Sequence, residues 1–344
     1  KLSDAGSYTV VVANAYGSVT SSIVTLTVNK ATPTISAAPT ASGITYGQTL
    51  ANSTLSGGAA STAGTFAFTT PSTAPDAGTA DQSVTFTPTD TANYTTATTT
   101  VSVVVGKATP TMSAAPTASG IIYGQTLASS TLTGGTASVA GTFAFTTPST
   151  APNAGTADQS VTFTPTDTAN HNPATTTVSV AVNPKPLTLT GITGKDKVYN
   201  GNRSADINGL VSLTGKVVSD DVALTGALNY QFADPNVGTD KLITVSGGSL
   251  SGAAKGNYTL VLPNDLKASI TTRGLTITGI SIQEKEFDGT TAATITGTAT
   301  YVGLQGTDNF AVAGTPTAAF TTPDVGAGKA VTVSGYAAPS ANYT

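Results

Sequence analysis

Thr65-Phe66-Ala67-Phe68-Thr69 and, further on, Ser83-Val84-Thr85-Phe86-Thr87 decide how this chain folds. In each, the large apolar side chains take alternate positions and Thr, Ser or Ala fills the places between. A period of two sends neighbouring side chains to opposite faces of an extended strand, so one face is apolar and the other polar. Val101, Val103 and Val105 continue the pattern in a third stretch. Gly57-Gly58, Pro71 to Gly78 and Pro88 to Asn93 interrupt it with residues that favour turns. Strands with one apolar face must share a core with a second sheet, and the expected unit is a small antiparallel β-sandwich.

That unit is written twice. Lys30 to Gly106 recurs as Lys107 to Asn183, and 12 of the 77 aligned positions differ. Phe143, Phe145, Val161, Phe163, Val178, Val180 and Val182 repeat the apolar positions of the first copy. Repetition at a fixed period makes each copy one folding unit and the array the architecture. A catalytic site needs a unique constellation, whereas a near-copied unit supplies length and multiplicity.

Composition narrows the classes further. Cysteine is absent from all 344 residues, so each unit rests on an apolar core without disulfide or thiolate-metal staples. Thr, Ser, Ala and Gly dominate, good helix formers are scarce, and almost no helix is expected. Net charge is −4 with no basic run, which leaves nothing to neutralise phosphates and excludes nucleic acid as a partner. The longest apolar runs, such as Val101 to Val105, are too short for a membrane-spanning helix. The chain opens without a basic, apolar leader, and any export signal or anchor is expected outside these residues.

Two resemblances sharpen the picture. Asp4-Ala5-Gly6-Ser7-Tyr8 followed by alternating apolar residues resembles the end of an immunoglobulin-like domain, whose tyrosine corner bonds backward to the main chain. Val10 stands where that family carries a cysteine, and only the last two strands are expected. Further on, Leu187-Thr188-Leu189-Thr190-Gly191-Ile192 aligns with Leu275-Thr276-Ile277-Thr278-Gly279-Ile280, and Lys241 to Gly247 aligns with Lys329 to Gly335. Tyr199-Asn200-Gly201 and Phe287-Asp288-Gly289 follow Lys197 and Lys285 at the same spacing. These stretches resemble the YDG repeats of large bacterial surface proteins. Asn or Asp before Gly is expected to preserve a tight hairpin turn. The 77-residue units are similar, more loosely, to MBG or immunoglobulin-like repeats. Five segments follow: 1–29, an incomplete immunoglobulin-like module; 30–106 and 107–184, the two sandwich copies; 185–272 and 273–344, two YDG-type copies of which the second ends at Asn342-Tyr343-Thr344. With both end segments incomplete, the chain reads as a window on a longer polypeptide.

Junctions between segments are short, running from Val28 to Pro33, Val105 to Pro110, Val182 to Pro186 and Ile270 to Leu275. Prolines in three of them restrict the backbone, and an extended, stiff rod is expected, with roughly 30 to 40 Å added per unit. Each junction carries one cation, Lys30, Lys107, Lys185 or Arg273, read as a side chain capping carbonyls at a strand end. A Lys-Asn isopeptide bond would need a buried acid, and neither 77-residue copy contains Glu. Between Lys30 and Lys107, and again between Lys107 and Lys185, there is no Lys or Arg for a trypsin-like protease.

Candidate sites are few. His171, the only histidine, replaces Tyr94 of the first copy and reads as a surface turn residue, without partners for base or metal chemistry. No cofactor is expected. The one alternative left open is calcium, at Asp220 and Asp221 with Asp234 and Asp240. Turn chemistry accounts for most of these carboxylates without a metal. Asn-x-Ser/Thr triplets begin at Asn52, Asn93, Asn202, Asn257 and Asn342, and the recurring Asn-Tyr-Thr fits a turn entering a strand. No nucleophile-base pair stands out, and no enzyme is expected.

The function that follows is structural: a stiff spacer in the stalk or fibre of an extracellular bacterial adhesin or filament. Its partners would be neighbouring repeats of the same chain, with lateral or end-to-end self-association through edge strands as a further expectation. Two other readings remain open. One is a module binding glycans or host protein through an aromatic cluster at Tyr46 and Tyr123, and the other a filament subunit polymerising by strand addition.

Overall fold

The computed structural model describes residues 2–344; Lys1, the first residue of the opening segment, lies outside the described residues. Strands make up nearly all of the regular structure. Among the described residues the only helical pieces are single turns at Leu2–Asp4, Leu50–Asn52, Leu127–Ser129 and Lys255–Asn257. The residues form two compact units. One runs to Ile121 and adds Thr126–Thr150 and Thr156–Ala181; the other comprises Ile122–Gln125, Ala151–Gly155 and Val182–Thr344.

In the first unit, the opening segment forms four short strands where two were expected. Gly6–Tyr8 pairs with Val24–Leu26, and Val11–Asn14 with Gly17–Thr20, both antiparallel. The Tyr8 hydroxyl donates to the Asp4 carbonyl at 2.7 Å, which is the backward bond of a tyrosine corner.

The first 77-residue copy is a sandwich. Gly64–Phe68, Gly78–Pro88 and Ala97–Gly106 lie side by side antiparallel, and Ile44–Thr45 joins the last of them in parallel. Facing them are two short ladders, Ile35–Ala37 with Ala59–Ala60 and Thr40–Ala41 with Leu55–Ser56. Phe68, Val84, Val101, Val103 and Val105 are buried with Ile44 and Leu50 between the layers. Ser102 and Val104 alternate outward, as the period of two requires. The Phe66 and Phe86 rings meet at 4.9 Å, and a Cβ built on Gly64 would come within 2.4 Å of the Phe86 ring. The second copy keeps this register, with Phe143 opposite Phe163 and Phe145 opposite Val161. On the outer face, hydroxyls bond across strands: Thr69 shares hydrogen bonds with Ser83 and Thr85 at 2.9 and 2.8 Å.

In the second unit, Asp206–Thr214, Lys185–Lys195 and Tyr258–Val261 form one sheet. Lys197–Val198, Lys267–Thr271, Gly238–Ser251 and Ala223–Phe232 form the other. Phe232, Ile243, Leu266 and Ile270 fill the space between them. In the following copy, Thr276–Ile282 pairs with Ile295–Val302, and Ala313–Phe320 with Val331–Ala337.

The Tyr199-Asn200-Gly201 stretch corrects one expectation. Its glycine has φ 75°, as does Gly289 with φ 73°, so the left-handed turn is present. It does not close a hairpin. Lys197–Val198 runs parallel to Lys267–Thr271, and the next long strand, Asp206–Thr214, pairs in the opposite sheet. The turn therefore carries the chain from one layer to the other. Lys197 ties it down, its Nζ donating to the Asn200 side chain at 3.0 Å and to the Ser204 carbonyl at 2.7 Å. In the next copy Lys285 donates to Asp288 at 2.8 Å, and this lysine, with the Thr290 amide, holds the Asp288 carboxyl down at about 2.

A repeated joint as the candidate functional site

Three sets of residues, each joining one repeat to the next, have the same construction. The socket of each is a Pro-Asp/Asn-Ala/Val-Gly turn, at Pro75–Gly78, Pro152–Gly155 and Pro235–Gly238, together with a tyrosine at 46, 123 or 199. The plug is an Asn followed by His or Tyr from the next repeat.

In the first unit the Ala77 amide donates to Asn170 Oδ1 at 2.8 Å, and Asn170 Nδ2 returns a bond to Asp76 at 3.3 Å. Asp167 holds the asparagine in place, accepting from its backbone and side-chain nitrogens at 3.1 and 2.9 Å. Beside it the Tyr46 and His171 rings meet edge to face, 5.2 Å between centroids.

In the second unit the pattern appears twice more. The Ala154 amide donates to Asn257 Oδ1 at 2.8 Å, and the Val237 amide to Asn342 Oδ1 at 2.9 Å. Asn257 Nδ2 reaches Asn153 at 3.2 Å, and Asn342 Nδ2 reaches Asn236 at 3.1 Å. Tyr123 meets Tyr258 and Tyr199 meets Tyr343, both at 5.3 Å and nearly perpendicular.

The YDG-type repeats add a carboxylate to this frame. Asp220 accepts from the phenols of Tyr123 at 2.9 Å and Tyr258 at 2.5 Å, while the Val217 amide donates to the Tyr258 oxygen at 3.0 Å. Asp308 likewise accepts from Tyr199 and Tyr343 at 2.9 and 2.6 Å, and the Gln305 amide donates to Tyr343 at 2.9 Å. Burial, and then the adjoining carboxylate, pushes the Tyr258 and Tyr343 phenols up to about 12. The same two causes raise Tyr123 and Tyr199.

The arrangement places several residues singled out in the sequence. Tyr46 and Tyr123 do not form an open aromatic cluster; each ring is engaged in a joint. His171 is corrected from a surface turn residue to a joint residue. Its side chain is 13% exposed, and Nδ1 is buried without a hydrogen-bond partner, 3.7 Å from Asp167. Asn257 leads into the strand Tyr258–Val261 as expected, whereas Asn342 precedes an isolated bridge of Tyr343 with Arg273, and the amides of both are occupied by the joint. Lys30 and Lys107 cap turn carbonyls, those of Thr91 at 2.8 Å and Thr168 at 2.7 Å.

The four calcium candidates serve four different purposes. Asp220 receives two phenols, while Asp221 accepts from the Ala253 amide at 3.1 Å. Asp234 pairs with Lys241 Nζ at 2.6 Å, and Asp240 sits in a left-handed conformation, φ 48°. Among the described residues no three His, Cys, Asp or Glu side chains gather closely enough to hold a metal ion.

The fold and the joints define a tandem array of β-sandwich domains. Within it, residues 183–266 and 271–344 each match the YDG domain. No curated protein matches the chain in sequence. Among solved structures, a three-immunoglobulin-domain structure of titin is similar at 10% identity and TM-score 0.28, over 67% of this chain and 98% of that one. Sidekick-1 immunoglobulin domains 1–5 align at 13% identity and TM-score 0.25, over 73% and 61%. Drosophila N-cadherin EC1–4 aligns at 10% identity and TM-score 0.21, over 74% and 82%.

Proposed function

We propose that this chain is a spacer, a segment of the stalk or fibre of a large extracellular bacterial surface protein. It would act by geometry, holding a distant functional region away from its anchorage. One observation carries the reading: the same Asn-into-turn and ring-on-ring joint recurs at three junctions and serves two different repeat classes. A joint reused across repeats of different sequence serves the connection itself. Directed hydrogen bonds flanked by an aromatic contact restrict bending and twisting more than a short linker alone. The YDG matches at 183–266 and 271–344 and the near absence of tryptic sites from 30 to 184 are consistent with an exposed extracellular array.

The test measures whether the joints hold. The chain has no cysteine, so single cysteines replacing the exposed Thr225 and Thr298 can carry a spin-label pair without background. A spacer predicts a narrow distance distribution that broadens when Asn342→Ala and Tyr343→Phe are combined. A distribution already broad in the parent chain would instead describe a flexible tether and overturn the reading.

A further inference from the structure

The fourth repeat repeats the socket. Pro323-Asp324-Val325-Gly326 corresponds to Pro235-Asn236-Val237-Gly238, and Phe287 stands at the position of Tyr46, Tyr123 and Tyr199. In the three joints described, the residue donating the socket amide, Ala77, Ala154 or Val237, is partly covered, and Tyr199 is buried. In the fourth, Val325 is 86% and Phe287 66% exposed, and Pro323 and Asp324 are exposed with them. Lys285 and Lys329 brace the turns beneath, bonding Asp288 and the Thr322 carbonyl at 2.8 Å each. The surface is thus a turn and an aromatic side chain, both exposed, at the positions that elsewhere meet an asparagine and the ring after it.

We infer that Phe287 and the Pro323–Gly326 turn form a receptor for the Asn-aromatic turn of another repeat of this kind. The occupant is defined by what fills the three other sockets. An asparagine Oδ1 accepts from the backbone amide, its Nδ2 donates to the second residue of the turn, and the ring that follows lies edge-on to the socket's aromatic residue. Asp324 suits the second of these contacts, since Asp76 already accepts from Asn170 in that position. Phe287 keeps the ring contact while lacking the hydroxyl through which Tyr123 and Tyr199 reach a carboxylate. The aspartate bridge is dispensable, because the joint of Tyr46 with His171 is built from the ring contact and the Asn170 bonds. The inference deepens the spacer reading and rests on the same joints.

Asn342-Tyr343-Thr344 matches Asn257-Tyr258-Thr259, so the chain can be extended in register. Two extensions of the full chain separate the contributions. Appending a copy of residues 260–272 supplies the fourth repeat with the strands that follow this motif in the third. Appending 260–344 supplies those strands and a further Asn-aromatic plug. Amide hydrogen exchange at Val325 is the readout, with Val237, whose socket is filled in every chain, as the internal reference.

Val325 is expected to exchange about tenfold or more slowly in the longer extension than in the shorter one. The protection should disappear when the appended copy's asparagine is replaced by alanine. Equal exchange at Val325 in both extensions, with Val237 protected, overturns the inference and leaves the joints intact. Loss of protection at Val237 itself would show that the joints do not hold, and would overturn both.

Discussion

Tyr258 shows what a single residue does in this chain. Its hydroxyl accepts from the Val217 amide and donates to Asp220, so removing one oxygen leaves a partly buried donor and a carboxylate without this partner. Tyr258→Phe is therefore expected to destabilise the second unit by about 1 to 3 kcal/mol, read from denaturant unfolding. The pH dependence has a definite sign. A folded pKa of about 12 lies above the ordinary tyrosine value, so the neutral phenol is favoured in the native state. The stabilisation is complete below about pH 10 and is lost as pH rises toward 12. Unfolding of the parent chain should thus become easier across that window, and the double variant Tyr258→Phe with Tyr343→Phe should show a weaker dependence. His171 predicts the opposite kind of result. Its Nδ1 is buried without a hydrogen-bond partner, so His171→Phe keeps the ring against Tyr46 and removes a desolvated nitrogen. Stability should be unchanged or slightly higher, by up to about 1 kcal/mol, in the same measurement.

At the level of strands, alternation was enough to place most of the core. Phe68, Val84, Val101, Val103 and Val105 are buried on the face that the period of two assigns to them. What alternation could not show is where the register breaks. In the YDG-type strands Gly191 and Gly209 face each other at a shift in pairing, with φ 81° and 92°, and Gly279 and Gly297 repeat the arrangement. A Cβ on Gly209 would lie 2.1 Å from the Gly191 carbonyl oxygen, closer than any side chain permits. Gly209→Val combines that clash with a left-handed backbone, and a loss of more than about 2 kcal/mol is expected for the second unit by denaturant unfolding. Gly191 was visible in the sequence as part of an aligned motif, and a glycine inside an alternating strand is itself a bulge signal. The joint was harder to read, because its parts lie about a hundred residues apart, as Ala154 and Asn257 do. The signal was nevertheless present: Pro-Asp/Asn-Ala/Val-Gly and Asn-Tyr/His both occur in every repeat of both classes. Spacing within one repeat identifies turns, whereas only comparison between repeats shows that two turns answer each other.

For the whole molecule, the decisive property is that the joint's parts are interchangeable. Tyr46 and Tyr123 occupy equivalent positions, as do Ala77 and Ala154, and Asp76 and Asn153. All three pairs belong to near-identical copies, yet one copy meets Asn170 and His171 while the other meets Asn257, Tyr258 and Asp220. In an array whose stability is the sum of repeats and nearest-neighbour joints, exchanging one copy for the other should leave both terms nearly unchanged. Deleting Lys107 to Asn183 makes that exchange, because it sets Gly106 directly before Pro184 and brings the first copy's socket to the YDG-type repeat. Tyr46 should then donate to Asp220 as Tyr123 does, and Asp76 should accept from Asn257 as it accepts from Asn170. The shortened chain is expected to fold, with the YDG-type repeats unfolding within about 0.5 kcal/mol of the parent. Introducing Tyr46→Phe into it should remove the new phenol bond, whereas in the parent chain Tyr46 contributes its ring to the joint with His171. A shortened chain whose YDG-type repeats lose stability by several kcal/mol would mean that the copies are specialised to their places, and length could not then be adjusted by adding or removing repeats.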